Sequence, residues 1–487
     1  MSLKKNTAQL AMANGILLVT NLFQTMVFSR LVADKTLFGE LQQVTLVSGL
    51  LVAALVSLPN AVSYFSGISQ HASQRAGELI RRFSFISGLM ALLVSLLVLL
   101  VSGPLGMLFS NRLVTGHRYA VAVLIFLRLF NTLYPNVCLV TGRLHRLIAI
   151  NLFQCGFLLS MFLLRDASGY ISISLLLGML VAAELAESIA LLGSVAPYFV
   201  HRAFRRGRLN LLGTEWKYVG FLLLNSAVIA LTGQVDRLII SSNSSPAVYS
   251  DYALGSFANP VIGVLLASLT TAFIPVLSGL YARKDYAGIF ASWKKVAGHA
   301  AVFIIPLVSF TIFFGSDIIV FLFTGRYKAS GMLFQLYNCR YLLVFMVFSA
   351  TMNAVGLEKY TLINSAINLV STALLVFAGL RLHGAAGAIA GGIAALYLGY
   401  IYPVYIIRKK LGGRVSDYFP IRNFALCCMI CAVLGGAFLL LRYIMAPVPA
   451  VVVLVMAPVY YGVSLLAIDR LVMPVINAKM FSRKMFI

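Results

Sequence analysis

Residues 83–109 read FSFISGLMALLVSLLVLLVSGPLGMLF, a run without a single charged side chain. A helix needs about 20 predominantly apolar residues to cross the hydrocarbon core of a bilayer, so this run is long enough to span a membrane by itself. The whole chain has the same character, since 61% of its 487 residues are hydrophobic and 11% are charged. A soluble domain carries roughly 25% charged residues. The composition therefore predicts an α-helical membrane protein and argues against a soluble enzyme.

Segments of this kind follow one another along the entire chain. No polar connection between them is long enough to fold as a separate domain, and the longest covers residues 197–217. The predicted fold is an all-α polytopic membrane protein with about fourteen transmembrane helices. We place them near residues 9–32, 41–68, 83–109, 119–140, 147–164, 171–196, 218–242, 250–281, 297–323, 331–355, 361–380, 388–407, 424–441 and 451–472.

The net charge of +24 is unevenly distributed between the two sides of these segments. About two thirds of the 38 Lys and Arg residues fall in the two tails and in one set of alternate loops. Cytoplasmic loops carry such an excess of Lys and Arg. We therefore predict a bacterial inner-membrane protein with both termini and the basic stretch 197–217 in the cytoplasm. Aromatic residues that could stack on bases are sparse among these basic residues, so the charge indicates topology and not a nucleic-acid partner.

The first and second halves of the chain show weak internal similarity. Pairs of similar residues recur in the same order at offsets of 207 to 216 positions: Arg30 and Arg237, Glu40 and Asp251, Pro59 and Pro275, Arg112 and Arg326, Arg128 and Arg340, Gly142 and Gly356. This pattern predicts two parallel six-helix lobes, residues 1–196 and 218–407, joined by a basic linker at 197–217. Residues 408–487 would add helices 13 and 14 and a basic cytoplasmic tail. Repeats of this kind place a substrate site at their interface.

Four arginines are predicted to lie inside the membrane. A charge at the bilayer centre costs ~2.5–3.5 kcal/mol on insertion scales, so such residues are functional candidates. Arg128 and Arg340 lie in the middle of their segments, whereas Arg30 and Arg237 lie nearer helix ends and could extend towards head groups. Asp236 adjoins Arg237 but points to another face of the helix, so we expect it to pair elsewhere, for example with Arg30.

Two acidic residues share one face of the sixth segment. Glu184 and Glu187 are three positions apart, and such residues are neighbours on a helix surface. Two close carboxylates in a low-dielectric interior favour the binding of a proton, so both residues, together with Asp236, are candidates for ion coupling. In the alternative interpretation they neutralise an arginine such as Arg128, and the arginines form salt bridges that only fix helix packing.

The interior arginines indicate the charge of the substrate. Arginine stays charged in any environment and binds phosphate through two parallel hydrogen bonds, so we predict an anionic, phosphate-bearing substrate. No P-loop, HExxH, GxSxG or Cys/His metal spacing occurs in the sequence, and we predict no cofactor. Cys428 and Cys431 are interpreted as small apolar residues within a helix. With no ATP-binding domain, transport would draw on an ion gradient, the membrane potential or substrate turnover, and we predict a proton or a sodium ion as the coupling ion.

Two local patterns and the helix arrangement resemble a known group of transporters. Residues 234–240 read QVDRLII and are followed by VYSDYA at 248–253, and residues 322–327 read LFTGRY. Together with two six-helix lobes plus two helices, they resemble the multidrug/oligosaccharidyl-lipid/polysaccharide exporter superfamily, specifically its Wzx-type polysaccharide branch. The resemblance covers nearly the whole chain, although its motifs are degenerate.

The resemblance implies a flippase and not an enzyme. Such a protein moves an undecaprenyl-diphosphate-linked oligosaccharide from the cytoplasmic to the periplasmic leaflet by alternating access, through a cationic cavity. The cavity arginines would correspond to Arg128, Arg340, Arg237 and Arg30. The implied partners are the lipid-linked glycan, membrane lipids, a coupling proton or sodium ion and a polysaccharide polymerase.

Three other functions are compatible with parts of the sequence. A lipid II flippase of the same superfamily would share the architecture, but the segment-2 pattern of that group is not evident here. A multidrug/cation antiporter of the same fold would need a central acid in segments 1 and 2 to hold the coupling cation, and neither segment has one. A membrane-embedded glycosyltransferase or ligase would need a sizeable periplasmic loop, and no predicted periplasmic loop exceeds roughly ten residues.

Overall fold

The computed structural model describes residues 3–68, 72–164, 169–200, 215–444 and 450–471. These residues form helices joined by short turns, and no strand occurs among them. The chain divides into two compact units, Met1–Ser250 and Asp251–Ile487. The all-α part of the predicted fold is therefore confirmed for the described residues.

The first unit contains the helices that carry most of the candidate site. In chain order they are α1 (Leu3–Leu31), α2 (Lys35–Leu55), α3 (Ser57–Ile68), α4 (Ala72–Leu100), α5 (Ser102–Leu108), α6 (Arg112–Gly116), α7 (Arg118–Asn131), α8 (Tyr134–Val140), α9 (Leu144–Ser160), α10 (Ile173–Val200) and α11 (Glu215–Asn243). The next helix, α12 (Pro246–Gly255), crosses the boundary between the units.

The second unit contains the remaining helices. They are α13 (Pro260–Ala282), α14 (Tyr286–Phe323), α15 (Lys328–Asn338), α16 (Phe348–Ala354), α17 (Glu358–Gly399), α18 (Ile401–Leu411), α19 (Val415–Tyr418), α20 (Ile421–Ile444) and α21 (Ala450–Leu471). Local side chains fix several helix starts. Asn259 accepts the backbone N–H of Val261 at 3.0 Å, and Asp285 accepts that of Gly288 at 2.8 Å, which satisfies donors that an α-helix leaves unpaired at its first turn.

Ten stretches of helix among the described residues are long and apolar enough to cross a membrane. Two shorter apolar helices, Gly15–Leu31 and Leu144–Ser160, coincide with predicted segments 1 and 5. One of the ten stretches, Glu358–Leu411, contains two predicted crossings, because the backbone leaves the helical region at His383 and Gly384. With the apolar helix α21, each of the fourteen predicted segments corresponds to helix in the structure.

The break at His383 and Gly384 turns α17 into a helical hairpin whose two arms touch through glycines. A Cβ atom on Gly387 would lie 2.2 Å from the carbonyl oxygen of Gly379, and one on Gly391 would lie 2.1 Å from that of Leu375. Only glycine permits such an approach of two backbones. The two glycines of the sequence GAIAG at 387–391 therefore form the packing face of the second arm.

Aromatic side chains pack the short helix α19, which follows α18, against α14. Trp293 is fully buried on α14 and stacks on Tyr418, with ring centroids 4.5 Å apart. Its indole N–H donates to the carbonyl oxygen of Met346 at 2.8 Å. Burial raises the pKa of Tyr418, which lies between two spans, to about 12, so its hydroxyl stays neutral at physiological pH.

The predicted lobe boundaries at 196 and 218 stay a prediction. Helix α10 continues through Pro197 as far as Val200, and residues 201–214 of the predicted linker lie outside the described part of the chain. Helix α11, which holds Asp236 and Arg237, packs along α2 and α3 within the first unit. There the Ser57 hydroxyl donates to the carbonyl oxygen of Leu222 at 3.0 Å.

Candidate functional site

Arg128 lies near the middle of a predicted crossing that is interrupted by a turn. The crossing covers Arg118–Val140 and consists of α7 and α8, with the turn after Asn131. Pro135 occupies the first turn of α8. A proline has no backbone N–H to continue the preceding helix and its ring clashes with that helix, so the sequence itself places the interruption here.

The guanidinium of Arg128 forms a salt bridge within the first unit. Its Nε donates to Oε1 of Glu184 on α10 at 3.0 Å, and its Nη1 donates to the hydroxyl of Ser48 on α2 at 2.7 Å. Three helices therefore meet at one half-buried cation. This is the salt bridge that the sequence offered as the alternative to substrate binding.

The carboxylate of Glu184 is held on its other side by Asn131. The side-chain amide of Asn131 donates to Oε2 of Glu184 at 3.0 Å and to its backbone carbonyl oxygen at 2.9 Å. Ser188 in turn donates to Oδ1 of Asn131 at 2.7 Å. Both carboxylate oxygens of Glu184 thus accept hydrogen bonds from N–H donors. These donors stabilise the negatively charged carboxylate and occupy positions that a metal cation would need.

Glu187, one turn further along α10, has a different environment. Its Oε2 accepts a hydrogen bond from the side-chain amide of Gln154 on α9 at 2.8 Å. Among the described side chains, none that is basic lies within salt-bridge distance of this carboxylate. A carboxylate without a cationic partner binds a proton more readily than one held by an arginine.

The salt bridge between Arg128 and Glu184 is not sealed from its surroundings. The side chains retain 15% and 19% of their exposed surface, respectively. The bonds to Glu184 and Ser48 use Nε and Nη1 of Arg128, which leaves further N–H donors of the five that a guanidinium carries. The arrangement can therefore hold an anion beside the carboxylate or in its place.

Arg340 has an aromatic environment in the second unit. Its guanidinium carbon lies 4.7 Å from the ring centroid of Tyr337 and 6.0 Å from that of Tyr341, and Nη1 also donates to the hydroxyl of Tyr337. Such cation–π contacts stabilise an arginine by ~0.5–2 kcal/mol. The hydroxyl of Tyr397 on α17 donates to the carbonyl oxygen of Cys339, next to Arg340.

The backbone around Arg340 is irregular in the middle of the crossing Gly325–Ala354. Helix α15 ends at Asn338, two short 3-10 turns follow at Cys339–Tyr341 and Val344–Met346, and α16 begins at Phe348. Val347 adopts a left-handed conformation with φ 42° and ψ 43°, which is unfavourable for a β-branched residue. Both arginine-bearing crossings are therefore interrupted near the arginine: α7 ends three residues after Arg128, whereas Arg340 itself lies in the first 3-10 turn.

The remaining predicted residues lie on α1 and α11. Arg30 is exposed in the last turn of α1. Asp236 and Arg237 are half-buried on α11, and a carboxylate oxygen of Asp236 accepts the backbone N–H of Arg237 at 2.9 Å. Their roles, and the pairing of Asp236 with Arg30, stay predictions.

Several polar residues of the site were not predicted from the sequence. Ser48, Asn131, Gln154 and Ser188 complete the environment of Glu184 and Glu187. Some signal for them exists, because Asn131 follows Arg128 by three positions and Ser188 follows Glu184 by four, so each pair shares a helix face. Ser48 and Gln154 reach the site only through tertiary packing.

A second buried polar group connects α2 with the first turn of α6. Glu40, which is 5% exposed, accepts the backbone N–H groups of Arg112 and Leu113 at 3.3 and 3.1 Å. In the second unit, Asp251 accepts the hydroxyl of Ser330 at 2.8 Å. Glu40 and Asp251 are a pair in the sequence repeat. Glu40 binds the short helix before the crossing that carries Arg128, and Asp251 binds the first α-helix of the crossing that carries Arg340.

We find no group of three or more His, Cys, Asp or Glu side chains that could hold a metal ion within the described residues. The six cysteines are free thiols, with Cys427 and Cys431 buried on α20.

Comparison with known proteins identifies the fold. A structure of the lipid II flippase MurJ in an inward closed conformation matches with a TM-score of 0.66 and 13% identity, over 95% of this chain and 98% of that one. An inward-facing multidrug resistance MATE family transporter of the MOP superfamily matches with a TM-score of 0.63 and 15% identity, over 81% and 94%. A MATE transporter from Vibrio cholerae matches with a TM-score of 0.53 and 15% identity, over 84% and 97%. No family model and no curated protein matches the sequence.

The chain is therefore a multi-pass membrane protein with the fold that these transporters share. It is similar in structure to MurJ along nearly the full length of both chains. At these low identities the likeness concerns the fold, and the substrate has to be inferred from the residues of the site.

Proposed function

We propose that the protein is a flippase of the bacterial inner membrane that moves undecaprenyl-diphosphate-linked oligosaccharides from the cytoplasmic to the periplasmic leaflet by alternating access. The observation that supports this most strongly is the guanidinium of Arg128, kept in the middle of a membrane crossing and partly exposed beside its carboxylate partner. Intramembrane arginines commonly mark substrate pathways.

A diphosphate is the substrate group that fits such a site. It carries two negative charges and accepts bidentate hydrogen bonds from a guanidinium. Arg128, Arg340, Arg237 and Arg30 would contact the diphosphate or the sugars attached to it. The removal of one such contact from a desolvated charge pair costs on the order of 2–5 kcal/mol.

Coupling to an ion gradient is the second part of the proposal. Glu187 is the best candidate for a proton carrier, because its carboxylate is bound by the amide of Gln154 and not by a base. Glu184 and Asp236 are further candidates. A sodium ion would need several oxygen ligands, whereas the bonds to Glu184 come from nitrogen donors.

A lipid II flippase is the second candidate function. It is favoured by the match to MurJ, which covers 95% of this chain, compared with 81% and 84% for the two MATE transporters described above. Both candidates would bind a lipid-linked diphosphate, and they differ in the glycan. An antiporter of cationic drugs is less compatible with a site built on an arginine.

Complementation in two strains separates these functions. One strain lacks its own oligosaccharide flippase and displays no surface glycan, and the other depends on an inducible lipid II flippase for growth. We expect the chain to restore glycan display in the first strain, and we expect Arg128→Ala to accumulate in the membrane without restoring it. Rescue of growth in the second strain alone would assign the protein to lipid II transport. Rescue of neither, with the protein present in the membrane, would contradict the proposal.

A further inference from the structure

A diphosphate that binds Arg128 has to compete with Glu184. The carboxylate already accepts the Nε–H of this arginine at 3.0 Å, and Asn131 and Ser188 fix its position. These polar groups hold the carboxylate in place although it costs free energy to keep a carboxylate inside a membrane. A simple cationic site for a substrate would be stronger without it, so the carboxylate needs an explanation.

The membrane itself supplies one. Bilayer lipids with anionic head groups surround the protein, and each phosphodiester group can accept hydrogen bonds from a guanidinium. An arginine open to the bilayer would be occupied by these lipids, because they greatly outnumber any lipid-linked oligosaccharide. A flippase therefore needs to discriminate between two phosphate esters that differ in charge.

We propose that Glu184 is a specificity-determining residue that makes Arg128 selective for a doubly charged diphosphate over a singly charged phosphodiester. This inference rests on the proposed function. A phosphodiester that displaces Glu184 replaces one negative charge by another and gains little. A diphosphate brings two charges to the same guanidinium, and the energy of an ion pair scales with the product of the charges. Selectivity of this kind is obtained by penalising the wrong partner.

Two features of the site support the competition. Arg128 and Glu184 retain 15% and 19% exposure, so a ligand can reach the pair, which a sealed packing bridge would not allow. The Glu184 carboxylate is also held in place by the side-chain amide of Asn131 at 3.0 Å, so a ligand that binds Arg128 has to displace a fixed negative charge.

The test measures binding to the purified full chain in uncharged detergent. The two probes are a short-chain polyprenyl diphosphate carrying N-acetylglucosamine, which has two negative charges, and dioctanoyl phosphatidylglycerol, which has one. We expect the wild type to prefer the diphosphate. Glu184→Gln should raise the affinity for phosphatidylglycerol about tenfold, which corresponds to ~1.4 kcal/mol, and should raise the affinity for the diphosphate less, so that the preference narrows.

Two further variants make the result specific. Glu184→Asp keeps the negative charge and should keep the preference for the diphosphate. Glu78→Gln removes an exposed carboxylate on α4 of the same unit and should bind both probes as the wild type does. Weaker binding of both probes to Glu184→Gln, or an unchanged preference for the diphosphate, would overturn the role of Glu184. Neither result would contradict the proposed flippase function. A wild type that does not bind the diphosphate at all would overturn the proposed function, and this inference with it.

Discussion

At the scale of single residues, the site is built around charges that the membrane makes costly. Arg128 and Glu184 neutralise one another, whereas the one hydrogen bond that Glu187 accepts from the described side chains comes from the neutral amide of Gln154. The two carboxylates were predicted from the sequence as a pair with one shared role. The structure gives them different environments, because tertiary packing brings the cation of Arg128 to Glu184 and the neutral amide of Gln154 to Glu187. The spacing of residues along a helix cannot predict such contacts.

We therefore expect the substitution of Glu187 to abolish proton coupling. Glu187→Gln cannot bind or release a proton, so transport in proteoliposomes should no longer respond to an imposed pH gradient. Binding of the lipid-linked diphosphate should persist, because Arg128 is unchanged. The measurement is the rate of transport with and without the gradient, with Glu78→Gln as the control for the loss of one carboxylate. A gradient response that survives in Glu187→Gln would show that the proton is carried elsewhere.

At the scale of secondary-structure elements, the interruptions of the arginine-bearing crossings are the informative feature. The sequence indicates the first one, since Pro135 stops a helix. The second has no proline, and the left-handed conformation of Val347 could not be predicted from a valine in an apolar run. Irregular backbone at membrane depth occurs where it is buried in protein or lines a cavity, and strained residues cluster at functional sites.

A pair of substitutions tests the conformation of Val347. Glycine adopts the left-handed region freely, whereas alanine pays ~1–2 kcal/mol there. Val347→Gly should therefore be more thermostable than Val347→Ala, although both lose the same side chain contacts apart from one methyl group. In an ordinary helix the order is reversed, since glycine costs ~1 kcal/mol relative to alanine. The measurement is the thermal unfolding temperature of the two purified variants. A higher unfolding temperature for Val347→Ala would mean that position 347 is helical.

The hairpin of α17 offers a second matched pair. A methyl group on Gly391 would lie 2.1 Å from the carbonyl oxygen of Leu375, whereas one on Gly392 would lie 3.6 Å from a methyl group of Val376. Gly391→Ala should therefore force the two arms apart and lower the unfolding temperature and the amount of protein in the membrane. Gly392→Ala should behave as the wild type. Equal stability of the two variants would contradict the close backbone contact.

At the scale of the whole molecule, composition and hydropathy were sufficient to predict an all-α membrane fold with about fourteen crossings, because the bilayer limits the structures that can span it. The equivalence of Arg128 and Arg340 stays a prediction of the repeat, and each arginine lies in a crossing whose helix is interrupted near it. The residues that accompany each arginine could not be predicted. Ser48 and Tyr397 come from helices that are distant in the sequence, and a single sequence does not show which distant helices pack together.

The proposed orientation in the membrane can be tested by cysteine labelling. Asn243, the last residue of α11, and Arg283, in the turn after α13, are both exposed and flank the predicted crossing 250–281 on opposite sides. In a variant without the six native cysteines, Asn243→Cys should react with an impermeant maleimide added to intact spheroplasts. Arg283→Cys should react only after the membrane is opened, because its loop belongs to the basic, cytoplasmic set. The reverse pattern would invert the topology.

The most direct test of the flippase is a transport measurement with purified protein. Proteoliposomes would contain a fluorescent undecaprenyl-diphosphate-linked oligosaccharide, and an impermeant glycosidase added outside would report how much substrate changes leaflet with time. We predict that the wild type makes nearly all of the substrate accessible, that Arg128→Lys is slower because it loses the bidentate contact, and that Arg128→Ala resembles empty vesicles. Transport by Arg128→Ala at the wild-type rate, or no transport by the wild type, would contradict the account.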